Sequence, residues 1–249
     1  FKPTPNFEFG LSRTIIFAGE GHVPLTFGSF WNSFSSLSNV PANVKFSRSD
    51  PGARYSSFDF SYRVPFLRNW LTLYTDSLAH DDVSPLSAPR RAAFRPGIYL
   101  SHVPRLPRLD FRAEAVYTDF PTSRSNGGHF FFYEDAYHDA YTNKQFILGD
   151  WIGREGKGGQ AWLTYHLSPQ EMVQLCYRNA KSAKDFVPGG TTQNDISVRI
   201  VHRLHEDVEL NTFAQIEFWK APILAQGLRT DVSLGLQLTY YPRWSWSSH

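Results

Sequence analysis

The sequence has one cysteine, Cys176, little surplus of either charge, and no apolar run near the roughly 18 residues that a membrane-crossing helix needs. A lone cysteine excludes an internal disulfide and leaves no pair or quartet at zinc spacing. The net charge of +2, without a basic stripe interleaved with aromatics, gives nucleic acid nothing to hold, so no nucleic-acid partner is expected. The short apolar runs exclude a helical membrane protein, although aromatic residues make up 16% of the chain and mean hydropathy is negative. No cationic N-terminus leads into an apolar core, and residue 1 is Phe1; the chain reads as mature or partial. No repeat of fixed period, low-complexity tract or domain boundary is visible, so a single domain over 1–249 is expected.

The glycine-rich stretch "GDWIGREGKGGQAW", Gly149 to Trp162, superficially suggests a phosphate-binding loop. That loop needs G-x-x-x-x-G-K-[ST], with glycines for close backbone approach and a hydroxyl for magnesium. Here Trp151 occupies the place of the first glycine and Gly158 that of the hydroxyl, so the nucleotide reading fails twice. A basic, flexible outer hairpin loop between aromatic stretches is expected instead.

What the chain does contain is alternation. "DVSLGLQLTYY" sets Val232, Leu234, Leu236, Leu238 and Tyr240 opposite Asp231, Ser233, Gly235, Gln237 and Thr239. "DISVRIVHRL", "LDFRAEAVY" and "SFDFSYRV" repeat the pattern, which marks two-faced strands. These segments run for about nine to twelve residues, longer than the usual five or six of a soluble sandwich and matched to a tilted bilayer crossing. Tyr117, Tyr165, Tyr177, Tyr240 and Trp219 lie at strand ends, where interfacial anchors belong.

About twelve strands are expected, over 7–18, 54–65, 69–77, 95–103, 108–118, 129–137, 144–152, 159–167, 171–181, 194–204, 207–219 and 229–241. Short connections ("PFLR", "PRLPR", "SPQE", "HED") alternate with long ones, as in an outer-membrane barrel with turns on one side and loops on the other. "LTFGSFWNSFSSL" instead spaces Phe27, Phe30, Trp31, Phe34 and Leu37 as an amphipathic helix with Thr26 as N-cap, placed in the first outer loop. "SPQEMVQLCYRNAK" imitates a helix start, but Val173, Leu175 and Tyr177 alternate with Gln174, Cys176 and Arg178, which favours a strand. The fold class is therefore all-β: an antiparallel transmembrane β-barrel with a short helix in its first outer loop.

The runs "RTIIFAGEGHVPLTFGSFWNSF", "RNWLTLYTDSL", "PRRAAFRPGIYLSH", "YTNKQFILGDWIGREGKGGQAWLTYHLSP", "YRNAKSAKDFVPGGTTQND" and "LGLQLTYYP" together resemble the capsule-assembly Wzi family of Gram-negative outer-membrane barrels. The resemblance covers nearly the whole chain and implies a bacterial outer-membrane lectin that holds capsular polysaccharide at the cell surface. Family members carry roughly 18 strands and an N-terminal portion. This chain therefore looks like the C-terminal two-thirds, without those first strands. The partners implied are capsular polysaccharide and the surrounding outer-membrane lipid and lipopolysaccharide; a monomer is expected, without cofactor or metal.

Sugar rings stack on aromatic faces and their hydroxyls bind planar polar groups. Trp151, Arg154, Glu155, Lys157, Gln160 and Trp162 in the glycine-rich stretch, and Trp31 on the helix, are thus the candidate polysaccharide-binding residues. Their bland alternatives are interfacial anchoring for the tryptophans, solvation for the charges, and packing of the helix stripe over the barrel mouth. Asp59, Arg63, Arg112, Glu114, Arg178, Arg199, Arg203, Glu209 and Glu217 are expected to face the interior in cross-strand ladders. His80, Asp81 and Asp82 form either a divalent-cation site or a solvated loop.

A porin and a barrel hydrolase are the rival functions. A hydrolase needs a serine or aspartate beside a histidine near the outer rim. His102, His166 and His202 lie toward the short turns or in mid-strand, and His129 and His138, near Glu134 and Asp135, would scatter over both strand faces. No catalytic residue is assigned, and no enzyme is expected.

Overall fold

The structure, a computed structural model, describes residues 1–37, 40–45, 47–82, 84–119, 132, 136–137, 142–144, 146–184 and 187–242. Its strands are β1 (Phe7–Ile16), β2 (Ala53–Arg63), β3 (Leu71–His80), β4 (Ala92–Leu100), β5 (Leu109–Tyr117), β6 (Thr142–Asn143), β7 (Phe146–Ile147), β8 (Gly156–Ser168), β9 (Glu171–Ser182), β10 (Thr191–His205), β11 (Val208–Lys220) and β12 (Arg229–Tyr240). Ten of them make one antiparallel meander in chain order, with β5 against β8, while β6 and β7 pair only with each other.

Among the described residues ten strands make the main sheet, where about twelve are expected. Of 129–137, only Phe132, Ala136 and Tyr137 are described, and they lie in turns. The expected strand 144–152 is interrupted: Lys144 and Gly149 take positive φ (50° and 115°), and the Asp150 carboxylate accepts the Ile152 N–H at 3.1 Å, which closes a turn. Even parity survives, so connections 64–70, 101–108, 169–170 and 206–207, none longer than eight residues, fall at one end of the sheet, and 17–52, 81–91, 118–155, 183–190 and 221–228, none shorter than eight, at the other. The ambiguous "EMVQLCYRNAKS" is strand β9.

The sheet does not close into a barrel among the described residues. Among the described residues β1 and β12 share no pairing, and the sheet is open between them. The free edge of β1 is partly taken by Phe1: its nitrogen donates to the Phe9 carbonyl at 2.8 Å, and the Phe9 N–H donates to the Phe1 carbonyl at 2.9 Å. The edge of β12 remains exposed over nearly its whole length.

Register sorts the two faces. One row crosses all ten strands as Phe7, Tyr62, Leu73, Ile98, Ala113, Ala161, Tyr177, Ile196, Ile216 and Val232, every one apolar or aromatic. The next row, one residue along, is Glu8, Ser61, Tyr74, Gly97, Glu114, Gln160, Arg178, Asp195, Glu217 and Asp231. Neighbouring residues of a strand point to opposite sides, so the sheet has one apolar and one polar face. The apolar face is not covered by the protein: Leu175 is 46% exposed and Leu234 80%. A contiguous exposed apolar surface on this scale marks an interaction surface, toward a partner protein or a membrane. The buried apolar core is small by contrast, centred on Ala53 and Tyr55 near the long connections.

Helix α1 (Phe27–Ser35) forms where expected. The Thr26 hydroxyl accepts from the Ser29 N–H at 3.1 Å and the Ser29 hydroxyl accepts from the Thr26 N–H at 3.0 Å, a reciprocal cap. Its orientation corrects the expectation of a packed stripe. Ser33 is the buried residue, while Phe27, Trp31 and Phe34 face outward, Phe27 stacked on Trp31 and Phe34 tilted against it. A four-residue helix, α2 (Ala42–Lys45), follows.

Candidate functional site

The polar face carries two clefts, of about 740 Å³ and about 410 Å³, that share Trp162 and Gln174 in their walls. Cross-strand register brings Tyr99, Arg112, Trp162 and Cys176 into one line. The Arg112 guanidinium lies 5.1 Å from the centre of the Trp162 ring and donates through Nε to the Tyr74 hydroxyl at 2.8 Å and to Glu114 at 3.0 Å. Tyr74 in turn donates to Glu114 at 2.7 Å. Arg112 is therefore fixed from two sides, and Trp162 presents an aromatic face beside oriented polar groups.

Some of the expected charge ladders form. Arg178 Nε donates to Asp195 on the neighbouring strand at 2.6 Å, and Arg203 lies 3.3 Å from Glu209. Arg199 bonds a neutral partner, the Asn211 amide oxygen, at 3.1 Å. Arg95 bridges Asp76 on the sheet and Asp150 in the long connection, at 3.0 Å from the latter, and so ties that connection to the polar face.

The glycine-rich stretch divides in two. Gly149–Glu155 is a turn, whereas Gly156–Trp162 is the first half of β8, so the expected outer hairpin loop is shorter than the sequence suggested. Trp151 is half-buried, with the Arg178 guanidinium 5.5 Å from its ring centre. Gln160 and Trp162 line the polar face. Glu155 is only 1% exposed and sits at φ 49°, with its carbonyl accepting the Ala183 N–H at 2.9 Å. Burial pulls the neighbouring Arg154 guanidinium below its ordinary pKa, and the Glu155 charge partly restores it. Lys157 is exposed but belongs to the opposite, apolar side by alternation. Trp31 is 55% exposed on α1, apart from this group. The structure thus unites Trp151, Gln160 and Trp162 around the polar face and sends Lys157 and Trp31 elsewhere.

Gly158 serves packing. A Cβ at Gly158 would stand 2.0 Å from the Asn179 carbonyl oxygen on β9. Gly158→Ala is expected to destabilise the protein by about 1–3 kcal/mol, read as a lower denaturation midpoint.

His80, Asp81 and Asp82 are neither a solvated loop nor a cation site. His80 stacks on Tyr55 at 4.6 Å, Asp81 lies 3.2 Å from Arg54 and 3.8 Å from Lys45, and Asp82 lies 3.4 Å from Arg91. Among the described residues no cluster of three metal-binding side chains occurs; His129, His138, Glu134 and Asp135 lie outside them. Burial raises the Asp82 carboxyl above its usual value, against the pull of Arg91. A raised carboxyl favours the fold below the ordinary carboxylate range and loses that contribution as pH rises through the raised value. Asp82→Asn is therefore expected to melt higher than wild type at neutral pH, with the difference vanishing in acid; a lower neutral melting point would contradict this.

Two histidines pair with carboxylates: His166 Nε2 lies 2.6 Å from Asp110 and His202 Nδ1 lies 2.5 Å from Glu171. Among the described residues neither imidazole bonds a serine hydroxyl, and both lie toward the short turns. The sequence reading missed Arg112, Tyr74 and Tyr99 as neighbours of Trp162, because only register across β3, β4, β5 and β8 assembles them.

No curated protein and no solved structure matches the chain. The family model described as capsule assembly protein Wzi matches residues 1–234. A two-faced sheet of ten strands with alternating turns and long connections accompanies that match over most of its length, and the chain belongs to the Wzi family of capsule assembly proteins.

Proposed function

We propose that the chain is the membrane-embedded part of a bacterial outer-membrane β-barrel that binds capsular polysaccharide without covalent chemistry and helps assemble or anchor the capsule at the cell surface. The observation that carries this reading is the pair of adjacent rows across all ten strands, one wholly apolar with none of its residues buried, the other predominantly polar. In a barrel the first meets lipid and the second lines a wet interior. The remaining strands needed for closure would pair with the edges of β1 and β12. Alternation of short turns and long connections supports the same orientation, with the long connections outward.

Saccharide contact then falls to aromatic faces flanked by planar polar groups. Trp162 with Arg112, Gln160 and Gln174 supplies such a surface on the polar face, and Trp151 over Arg178 extends it toward the outer end. Arg154 and Glu155 contribute through the shape of the turn that precedes β8, Lys157 lies on the other side of the sheet and is left out of this surface, and Trp31 offers a separate exposed platform. Each contact is weak; a polymer that repeats its epitope across many such proteins is held by avidity. No bond in the substrate needs to break.

The test is saturable binding of the detergent-solubilised protein to capsular polysaccharide from its own host, measured together with conductance in planar bilayers. Binding with little conductance supports the lectin. The charge-lined clefts of the polar face favour a second reading, a porin. Conductance without polysaccharide binding would establish that function instead.

A further inference from the structure

At the long-connection end of the apolar face, register aligns Tyr117, Lys157, Lys181, Thr192 and Lys220 across four neighbouring pairs, from β5 through β11. Lys157 and Lys181 are direct cross-strand partners, an arrangement of like charges that costs stability unless an anion lies between them. Lys184 follows on the connection after β9, and the four lysines border a cleft of about 510 Å³. All four are exposed, and among the described residues none makes an ion pair. The only acidic side chain in the described lining, Asp119, is 2% exposed, so it leaves the cleft's surface cationic.

What lies below the lysines decides the ligand. Alternation places Lys157, Lys181 and Lys220 on the same side as the apolar row of Ala161, Tyr177, Ile196 and Ile216, separated from it by a row containing Gly159, Asn179, Asn194 and Phe218. Moving along the strands, the surface is cationic, then mixed, then apolar. A soluble anion has no use for the apolar part, and a neutral lipid has none for the lysines. A ligand with a phosphate group above acyl chains matches both, and lysines held at such a level attract an anionic lipid surface.

We infer that Lys157, Lys181 and Lys220 form a site for the phosphate headgroup of an anionic lipid in the leaflet facing the long connections. This rests on the membrane-embedded reading of the apolar face. The lysines lie on the opposite side of the sheet from Trp162, so lipid at this site leaves the polysaccharide surface free.

The test begins with reconstitution of the protein into vesicles of phosphatidylcholine alone, scored by resistance to alkaline carbonate extraction. A wild-type chain that is extracted overturns the membrane reading and the lipid site with it. For a chain that stays embedded, short-chain phosphatidic acid is titrated onto protein in neutral detergent. Saturable binding is expected, weakened about tenfold or more in Lys157→Gln, Lys181→Gln, Lys220→Gln combined, and retained when all three are arginine. Equal binding by the glutamine variant overturns the site. Inorganic phosphate competing as well as the lipid would overturn the assignment to a lipid. A glutamine variant that loses polysaccharide binding while keeping phosphatidic acid would make the belt part of the polymer surface instead.

Discussion

Arginine at both Leu175 and Val198 is expected to abolish assembly of the protein in a bilayer, whereas arginine at Ser197 leaves assembly intact. Leu175 and Val198 are cross-strand partners in the middle of the apolar face, 46% and 37% exposed. Arginine near the middle of a barrel's lipid-facing band costs roughly 2–4 kcal/mol. Two such changes together cost roughly 4–8 kcal/mol, comparable with the lower half of the roughly 5–15 kcal/mol that ordinarily holds a domain together. Ser197 is one residue from Val198 but belongs to the polar face, where it lines the smaller cleft. The contrast between 197 and 198 isolates the side of the sheet from the general cost of a charge in a strand. The fraction of chain retained in vesicles after carbonate extraction reads the effect, and a double variant that assembles as well as wild type would sink the membrane-embedded reading.

Trp162→Ala is expected to weaken capsular polysaccharide binding by about 2 kcal/mol, or roughly thirtyfold, the scale of an aromatic anchor at a recognition surface. Trp162→Phe keeps an aromatic face and should recover most of the loss. Trp162 borders both clefts, and Arg112 beside it is already held by Glu114 and Tyr74, so the ring can be removed without freeing a charge. Isothermal titration with size-fractionated polymer gives the comparison. Binding unchanged by Trp162→Ala would move the contact to Trp151 or to Trp31 on α1.

Local features of the site were legible in the residues. Thr26 announced the cap of α1, and the alternation of Val173, Leu175 and Tyr177 outweighed the helix-like "SPQE" before them. The glycine-rich stretch was legible only in part. Its aromatics and charges drew notice, but nothing in their order says that Glu155 turns inward or that Gly158 must lie against the Asn179 carbonyl. Those outcomes depend on β9, which approaches from more than twenty residues away along the chain.

The sequence by itself determined that the strands are long and two-faced, that turns and long connections alternate, and that the chain resembles the Wzi family, because a period of two and a turn signal are local properties of the backbone. Tertiary structure decided the rest. It reduced twelve expected strands to ten in one sheet, set β8 directly against β5, and left β1 and β12 unpaired with each other. It turned the aromatic stripe of α1 outward and aligned three lysines from three strands above the apolar face. These are matters of register between distant segments, fixed by which backbone groups find partners, and a slip of one residue would have exchanged the two faces of every strand it touched.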